Sequence, residues 1–422
     1  MTTGRTTTEV PPLRRNRDFL LLWTGSAVSS LGSNASSIAY PLLVLALTGS
    51  PLDAGFAGFV ALLPQLLFQL PAGVLVDRFD RKRVMIWCDV LRATVLATVV
   101  VALVADRLTL VHVLAAGLVE GMLTVCFKIA AAAAVRNVVH PTHLTAALSR
   151  NEARERAGAM LGQPLGGILF GLGRAVPFLF DAITYLVSLG ALLMIRTPFQ
   201  RTRRGERVRF TAGVSWLWRN PFLRATTFLV ASSNLLFRAL FLAVIVIAAD
   251  NGASAGEVGV MLGLAAVGGV VGSLLAPVAE RRLSMRTVVI AANWAWAGLV
   301  PMVLLVRDPL AIGAIYAFMC FIGPLWNVAI SAYQIAVTPD HIQGRVLAAA
   351  GMVAFGAIPL GSLVGGAALG WFGTTATVAG LAVWMVLIAL FATASPAVRN
   401  APRPEEAAEL TEPARAPVPE AH

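Results

Sequence analysis

A glutamate, an arginine and three asparagines lie deep in stretches of the chain that are otherwise almost pure hydrocarbon: Asn34, Glu120, Asn234, Arg238 and Asn327. Ionisable groups in such surroundings are expensive and point to a function. A carboxyl group binds and releases a proton, a guanidinium stays charged, and an amide both donates and accepts. Such groups suit the movement of a proton or a small solute rather than bond chemistry. There is no Gly-x-x-x-x-Gly-Lys-Ser/Thr loop and no His-Glu-x-x-His pair, so neither a nucleotide-driven motor nor a metal-dependent hydrolase is indicated. Cys88, Cys126 and Cys320 share no paired spacing, which argues against a disulfide framework or a metal site. The sequence reads as a non-enzyme without cofactor or metal.

Those residues must be positioned by membrane helices. Of the 422 residues, 57% are hydrophobic and 13% charged, against about 25% charged in a soluble domain. Windows of about 20 apolar residues, the length that crosses the hydrocarbon core, fall at 19–47, 52–76, 84–104, 109–135, 152–172, 176–196, 223–249, 256–278, 287–306, 310–336, 344–368 and 373–393. The runs are too long, and alternate too little, for a strand barrel. An all-α membrane protein is expected, its twelve spans arranged as two six-helix halves at 19–196 and 223–393. Asn34, Glu120, Asn234 with Arg238, and Asn327 fall in spans one, four, seven and ten, and Lys128 lies further along span four.

Arginine sets the orientation. One set of loops holds Arg14, Arg15, Arg17, Arg78, Arg81, Lys82, Arg83, Arg136, Arg150, most of the 197–222 linker cluster, Arg281, Arg282, Arg286 and Arg345, while the other holds only Arg107, Arg174 and Arg307. The basic side is expected to be cytoplasmic, with the 1–18 and 394–422 tails and the linker all on it. The net charge of +11 then faces lipid and cytoplasm, and no nucleic-acid partner is needed to explain it. Residues 1–18 are polar and basic and do not read as a cleavable leader. Trp216 and Trp218 beside charges suggest a short interfacial helix in the linker. The Pro-, Ala- and Glu-rich tail reads as disordered. Lysine is nearly absent, which points to a GC-rich bacterial genome and so to a bacterial inner or plasma membrane.

The loop after span two reads Gly73-Val-Leu-Val-Asp77-Arg78-Phe-Asp80-Arg81-Lys82-Arg83. It resembles the Gly-x-x-x-Asp-Arg-x-x-Arg-Lys/Arg loop of major facilitator superfamily transporters. The resemblance implies a cytoplasmic gate built from Gly73, Asp77, Arg78, Arg81 and Lys82. In it Gly73 allows a close helix approach and Asp77 caps a helix and pairs with arginine; Asp80 stands where the family has a turn glycine. Asp89 and Arg92, three apart on span three, share a face and are expected to pair and to brace this gate. Gly158, Gly162, Pro164, Gly166 and Gly167 in span five are similar to the antiporter motif of the superfamily's exporters, with Gln163 inserted before Pro164. Close glycine packing alone would also explain that pattern. The segments from Arg15 to Val44 and from Cys88 to Ala93 look like the drug and siderophore exporter branch, and the likeness runs loosely from residue 13 to about 393. The halves answer each other weakly: Asp77-Arg78 by Glu280-Arg281, and Pro164-Leu-Gly-Gly by Pro359-Leu-Gly-Ser. The arginine that the family carries in span four is absent at Gly117.

The resemblance implies that spans one, four, seven and ten line a pathway, which makes Asn34, Glu120, Asn234, Arg238 and Asn327 its polar residues. The expected activity is export of an amphipathic or hydrophobic small molecule by proton antiport, with the protein acting as a monomer in the lipid bilayer. An importer of a small nutrient and a non-transporting sensor of the same fold are the alternatives. The orientation is open to direct test. Single cysteines placed in the 1–18 tail or the 197–222 linker should resist impermeant thiol reagents applied to intact cells and react after permeabilisation; labelling from outside would reverse the topology.

Overall fold

The computed structural model describes residues 13–199, 211–338 and 340–399. The Arg5, Arg201–Arg209, Arg403 and Arg415 segments, and most of both tails, lie outside the described residues. Within them every regular element is helical: α1 Arg17–Thr48, α2 Pro51–Leu67, α3 Gln69–Arg78, α4 Arg81–Val104, α5 Leu110–Val138, α6 Leu144–Leu172, α7 Val176–Met194, α8 Thr211–Arg219, α9 Pro221–Asp250, α10 Ala255–Arg282, α11 Met285–Met302, α12 Pro309–Val337, α13 Asp340–Ala394 and α14 Pro396–Arg399.

Helix starts follow from their caps. Asp80 accepts the Arg83 N–H at 2.9 Å, Asn220 accepts Phe222 and Leu223, and Asp308 accepts Ala311 at 2.8 Å. Ser254 and Glu257 close a reciprocal capping box. Eight helices are individually long and apolar enough to cross a membrane among the described residues, and α2 with α3, bent by 58°, meets the same length and apolarity as a pair. Pro71 offers no N–H to the Leu67 carbonyl, which is where α2 ends. The helix α6 does not qualify by itself because Arg150, Glu152, Arg154 and Glu155 occupy its first half, nor does α11, which carries Arg286 and Asn293. No loop separates the windows at 344–368 and 373–393: helix α13 runs through both, broken only at Gly373, whose φ of 75° turns the chain in one residue.

The chain divides into two compact units, one of Met1–Leu43 with Val60–Gly205 and the other of Val44–Phe59 with Glu206–His422. In the first unit, α7 is packed the reverse of a helix in a soluble domain. On α7 the buried residues include Asp181, Thr184, Tyr185 and Ser188, while Leu179, Ile183, Leu186, Val187 and Leu193 are exposed. An outward apolar face suits lipid, and an inward polar stripe must satisfy itself inside the helix bundle. The first unit's apolar core joins Phe19, Leu22, Met85, Ala130, Ala134, Leu192, Ile195 and Phe199. In the second unit, Trp296 stacks edge-on between Phe237 and Trp326 at 4.9 and 5.1 Å and donates its indole N–H to the Met319 carbonyl.

Small residues set the helix spacing where hydrophobicity cannot. A Cβ built on Gly272 of α10 would lie 2.1 Å from the Phe321 carbonyl oxygen of α12, so backbone meets backbone there. A Gly272→Val variant should therefore lose about 1–3 kcal/mol or more to overpacking. Gly298→Ala on α11, where a new Cβ meets nothing within 4 Å, should be neutral or gain up to about 1 kcal/mol. Thermal unfolding of the two variants in detergent checks the contrast, and equal melting temperatures would contradict it.

Candidate functional site

The polar stripes of α1, α4, α5 and α7 meet inside the first unit around Glu120. The Tyr40 hydroxyl of α1 donates to Glu120 Oε2 at 2.6 Å, and the Tyr185 hydroxyl of α7 lies 2.9 Å from Oε1. Tyr185 also sits 2.9 Å from Ser33 Oγ, which in turn is 2.9 Å from the Ser29 carbonyl. Each hydroxyl carries one proton. The chain Ser29–Ser33–Tyr185–Glu120 can therefore be satisfied in two ways. In one, Ser33 donates to Tyr185 and Tyr185 to a Glu120 carboxylate. In the other, a protonated Glu120 donates to Tyr185, Tyr185 to Ser33 and Ser33 to Ser29.

A second carboxylate stands beside the first. Asp181 accepts from Ser36 Oγ at 2.5 Å and from Thr184 Oγ1 at 3.2 Å, and it is 0% exposed. The α4 pair completes the cluster: Arg92 Nη2 donates to Asp89 Oδ1, with both residues buried. The Arg92 guanidinium lies over the rings of Phe127 at 4.4 Å and Tyr185 at 4.2 Å, and its charge acts on both Glu120 and Asp181. Three carboxylates thus face one guanidinium in a region where unpaired charge is strongly disfavoured.

Of the expected pathway residues, Glu120 occupies the centre of this network, and the others do not join it. Asn34 is half-buried, its amide donating to the Ser30 carbonyl one turn back at 2.8 Å. Asn234 donates to the Ala354 carbonyl at 2.8 Å and ties α9 to α13, Arg238 Nε donates to Ser362 Oγ at 2.8 Å, and Asn327 is exposed on α12. Lys128 is exposed and reaches Glu155 at 3.9 Å.

The gate region departs from expectation in three places. Asp89 and Arg92 do not brace the loop; the inward face of α4 carries them to Tyr185 and Phe127. Gly73 provides no close approach, since a Cβ there would meet nothing within 4 Å; the tight contact of this helix pair is between Ala61 and Pro64 of α2 and Gly117 and Gly121 of α5. The helix cap is Asp80, not Asp77, with φ −61° and ψ 119°, so a turn glycine is not needed. Asp77 pairs with Arg81 at 3.6 Å on the surface, Arg78 is exposed, and Lys82 donates to the Ile195 carbonyl at 2.7 Å.

The span-five glycines seat α6 on α1. Added Cβ atoms would lie 2.6 Å from Ser30 Oγ at Gly158, 2.5 Å from the Asn34 Cβ at Gly162 and 2.1 Å from the Ala35 carbonyl oxygen at Gly166. Gly167 is buried, and the side chain of Pro164 lies outside the described residues.

Tyr40, Asp181 and Tyr185 are the participants that sequence reasoning missed. Their signal is the inward stripe Asp181, Thr184, Tyr185 and Ser188, at one helical face's spacing. The ion pair makes the network testable. Removing Arg92 alone leaves Asp89 buried without its cation, so Arg92→Met should cost about 3–5 kcal/mol. Adding Asp89→Asn to it should recover a good part of that loss in the thermal unfolding of detergent-purified protein. A double variant no more stable than the single one would show that the pair is not coupled.

A major facilitator family model described as transmembrane secretion effector matches residues 7–420. The multidrug efflux pump Tap of Mycolicibacterium fortuitum is 27% identical over 411 residues, covering 90% of this chain and 96% of that protein. Tap of Mycobacterium tuberculosis is 27% identical over 427 residues, covering 92% and 95%. Macrolide efflux protein A of Streptococcus pyogenes is 37% identical over 75 residues, 18% of each chain. Among solved structures, the nucleoside transporter NupG superposes with a TM-score of 0.70 at 11% identity, covering 91% of this chain and 100% of that one. A bacterial homologue of the human lysosomal transporter Spinster gives 0.63 at 15%, covering 94% and 98%. At such identities the structural likeness speaks for the fold.

Proposed function

Because the chain belongs to the transmembrane secretion effector family of the major facilitator superfamily, integral membrane transporters rather than enzymes, we propose that it exports amphipathic or hydrophobic small molecules from the cytoplasm in exchange for protons. The fold expected from the sequence, two helical halves of the major facilitator type, agrees with its structural relatives. Relatives named as multidrug and macrolide efflux proteins support the export direction and the broad substrate class.

The observation that carries proton coupling is the Glu120 network. Glu120 is held by two tyrosine hydroxyls beside Asp181, and one arginine serves three buried carboxylates. A proton is then the natural counter-charge for the excess. The hydroxyl chain through Tyr185 and Ser33 can reorder as that proton arrives or leaves, with Glu120 and Tyr185 partnered in both arrangements. A conformation that wets the site would favour release, and one that seals it would favour retention, which is the differential that alternating access needs.

The remaining assignments follow this reading. Asn34, Asn234, Arg238 and Asn327 are proposed to contribute polar contacts along the pathway. Asp77 with Arg78, Arg81 and Lys82 is proposed as the gate that opens and re-forms in the transport cycle. In this reading Gly158, Gly162, Gly166 and Gly167 keep α6 and α1 in register, so that Ser33 and Ser36 stay within reach of Tyr185 and Asp181.

Glu120→Gln keeps the shape and both tyrosine contacts but cannot cycle a proton. In inside-out vesicles with an imposed pH gradient, the variant should lose gradient-driven uptake of a fluorescent amphipathic drug by about 100-fold, while equilibrium binding of the same drug stays within about threefold. Full gradient-driven transport by the variant would take Glu120 out of the mechanism and leave Asp181 as the carrier to examine.

A further inference from the structure

Among the described residues of the second unit, one charged side chain lies mid-helix; Asp53 stands in the first turn of α2. In the helices α9 to α13 the acidic residues Asp250, Glu257, Glu280, Asp308 and Asp340 all stand at or near helix ends, as do Arg224, Arg281, Arg282, Arg286 and Arg345. Arg238 alone lies mid-helix, and no carboxylate of the described residues reaches it within ion-pair distance.

Arg238 is held without being neutralised. Its Nε donates to Ser362 Oγ of α13 at 2.8 Å, its guanidinium carbon stands 4.9 Å from the ring centre of Phe241, and Tyr316 is the neighbouring polar ring. These contacts fix the side chain by its ε-nitrogen and one flat face. The two terminal nitrogens receive no hydrogen-bond acceptor among the described residues. Gly58 of α2 stands beside that edge: a Cβ there would lie 3.6 Å from Nη2, an ordinary contact. Arg92 of the first unit, by contrast, has its carboxylate in hand.

A guanidinium edge with two parallel donors matches the two oxygens of a carboxylate or sulfonate. An oriented, unneutralised one inside a membrane span is favourable only when an anion arrives or water remains. We infer that Arg238 is an anion-binding site for the acidic group of an amphipathic substrate, a carboxylate or sulfonate on an apolar body, with Phe241 as its apolar wall and Tyr316 as a neighbouring polar ring. This rests on the reading that the protein carries small molecules, and it adds their charge.

The test is equilibrium binding, without a gradient, to full-length protein in nanodiscs of zwitterionic lipid, corrected with empty discs. The probes are anilinonaphthalene sulfonate and its uncharged counterpart phenylnaphthylamine. Arg238→Gln should weaken the sulfonate probe about tenfold or more and leave the neutral probe within about twofold; Arg238→Lys should restore most of the sulfonate affinity. Unchanged sulfonate binding, or equal loss of both probes by folded variant protein, would overturn the site. Should the Gln variant fail to fold, wild-type protein decides: excess naphthalene sulfonate should displace the sulfonate dye where naphthalene methanol does not, and equal displacement would overturn the site. Failed gradient-driven export with retained sulfonate selectivity would count against the transport reading alone.

Discussion

A guanidinium withdrawn from water needs a carboxylate, an aromatic face or both, and Arg92 takes both. Asp89 meets it from the same helix, and the rings of Phe127 and Tyr185 both lie against it. Once Tyr185 is fixed by that stack, its hydroxyl is aimed at Glu120, and the opposite oxygen of Glu120 is fixed by Tyr40. Tyr40 is itself braced edge-on by Phe178 at 5.1 Å. One cation therefore sets the orientation of groups on four helices, and the helices can approach one another only because those groups are satisfied.

Close approach has its own requirement. In lipid, apolar side chains gain nothing from one another that acyl chains do not also offer, so helices settle where backbones touch. The first unit achieves this through Gly158, Gly162 and Gly166 against α1, and through Gly32, whose added Cβ would strike Thr184 and Asp181. That last contact links packing to chemistry: a side chain at Gly32 would displace the carboxylate it faces. The glycine stripe thus sets the geometry in which Ser36 reaches Asp181 at 2.5 Å.

Much of this was legible beforehand. Long apolar windows, arginine-rich loops and the glycine spacing of span five are strong signals because they answer to the bilayer, which acts on every residue of a span alike. The Asp89–Arg92 pair was legible from its i, i+3 spacing, but its surroundings were not, since a helix's inward face is decided by neighbours far away in sequence. Tyr40 and Tyr185 pass for apolar bulk in any hydropathy window, and Asp181 lies close enough to the start of α7 to pass for an interfacial residue. Gly73 shows the opposite error. A glycine in a recognised motif suggested contact, whereas the contact was made on the preceding helix α2, by Ala61 and Pro64.

The internal repeat supplies a control for what the buried charges are for. Pro164-Leu-Gly166-Gly167 on α6 is answered by Pro359-Leu-Gly361-Ser362 on α13. Gly166 presses on Ala35 of α1, and Gly361 presses on the Leu235 carbonyl of α9 at 2.4 Å from its would-be Cβ, so the same packing is built twice. The charges are not repeated. The second unit forms its helical bundle with no mid-helix carboxylate among the described residues, and where Gly167 stands in the first half it places Ser362, which holds Arg238 by one nitrogen. A fold that closes without the Glu120, Asp181 and Asp89 set in one half does not need that set for closure in the other. Three carboxylates and an arginine burden the first unit's interior with desolvation, and the other half folds without such a set, so helix closure alone does not account for it.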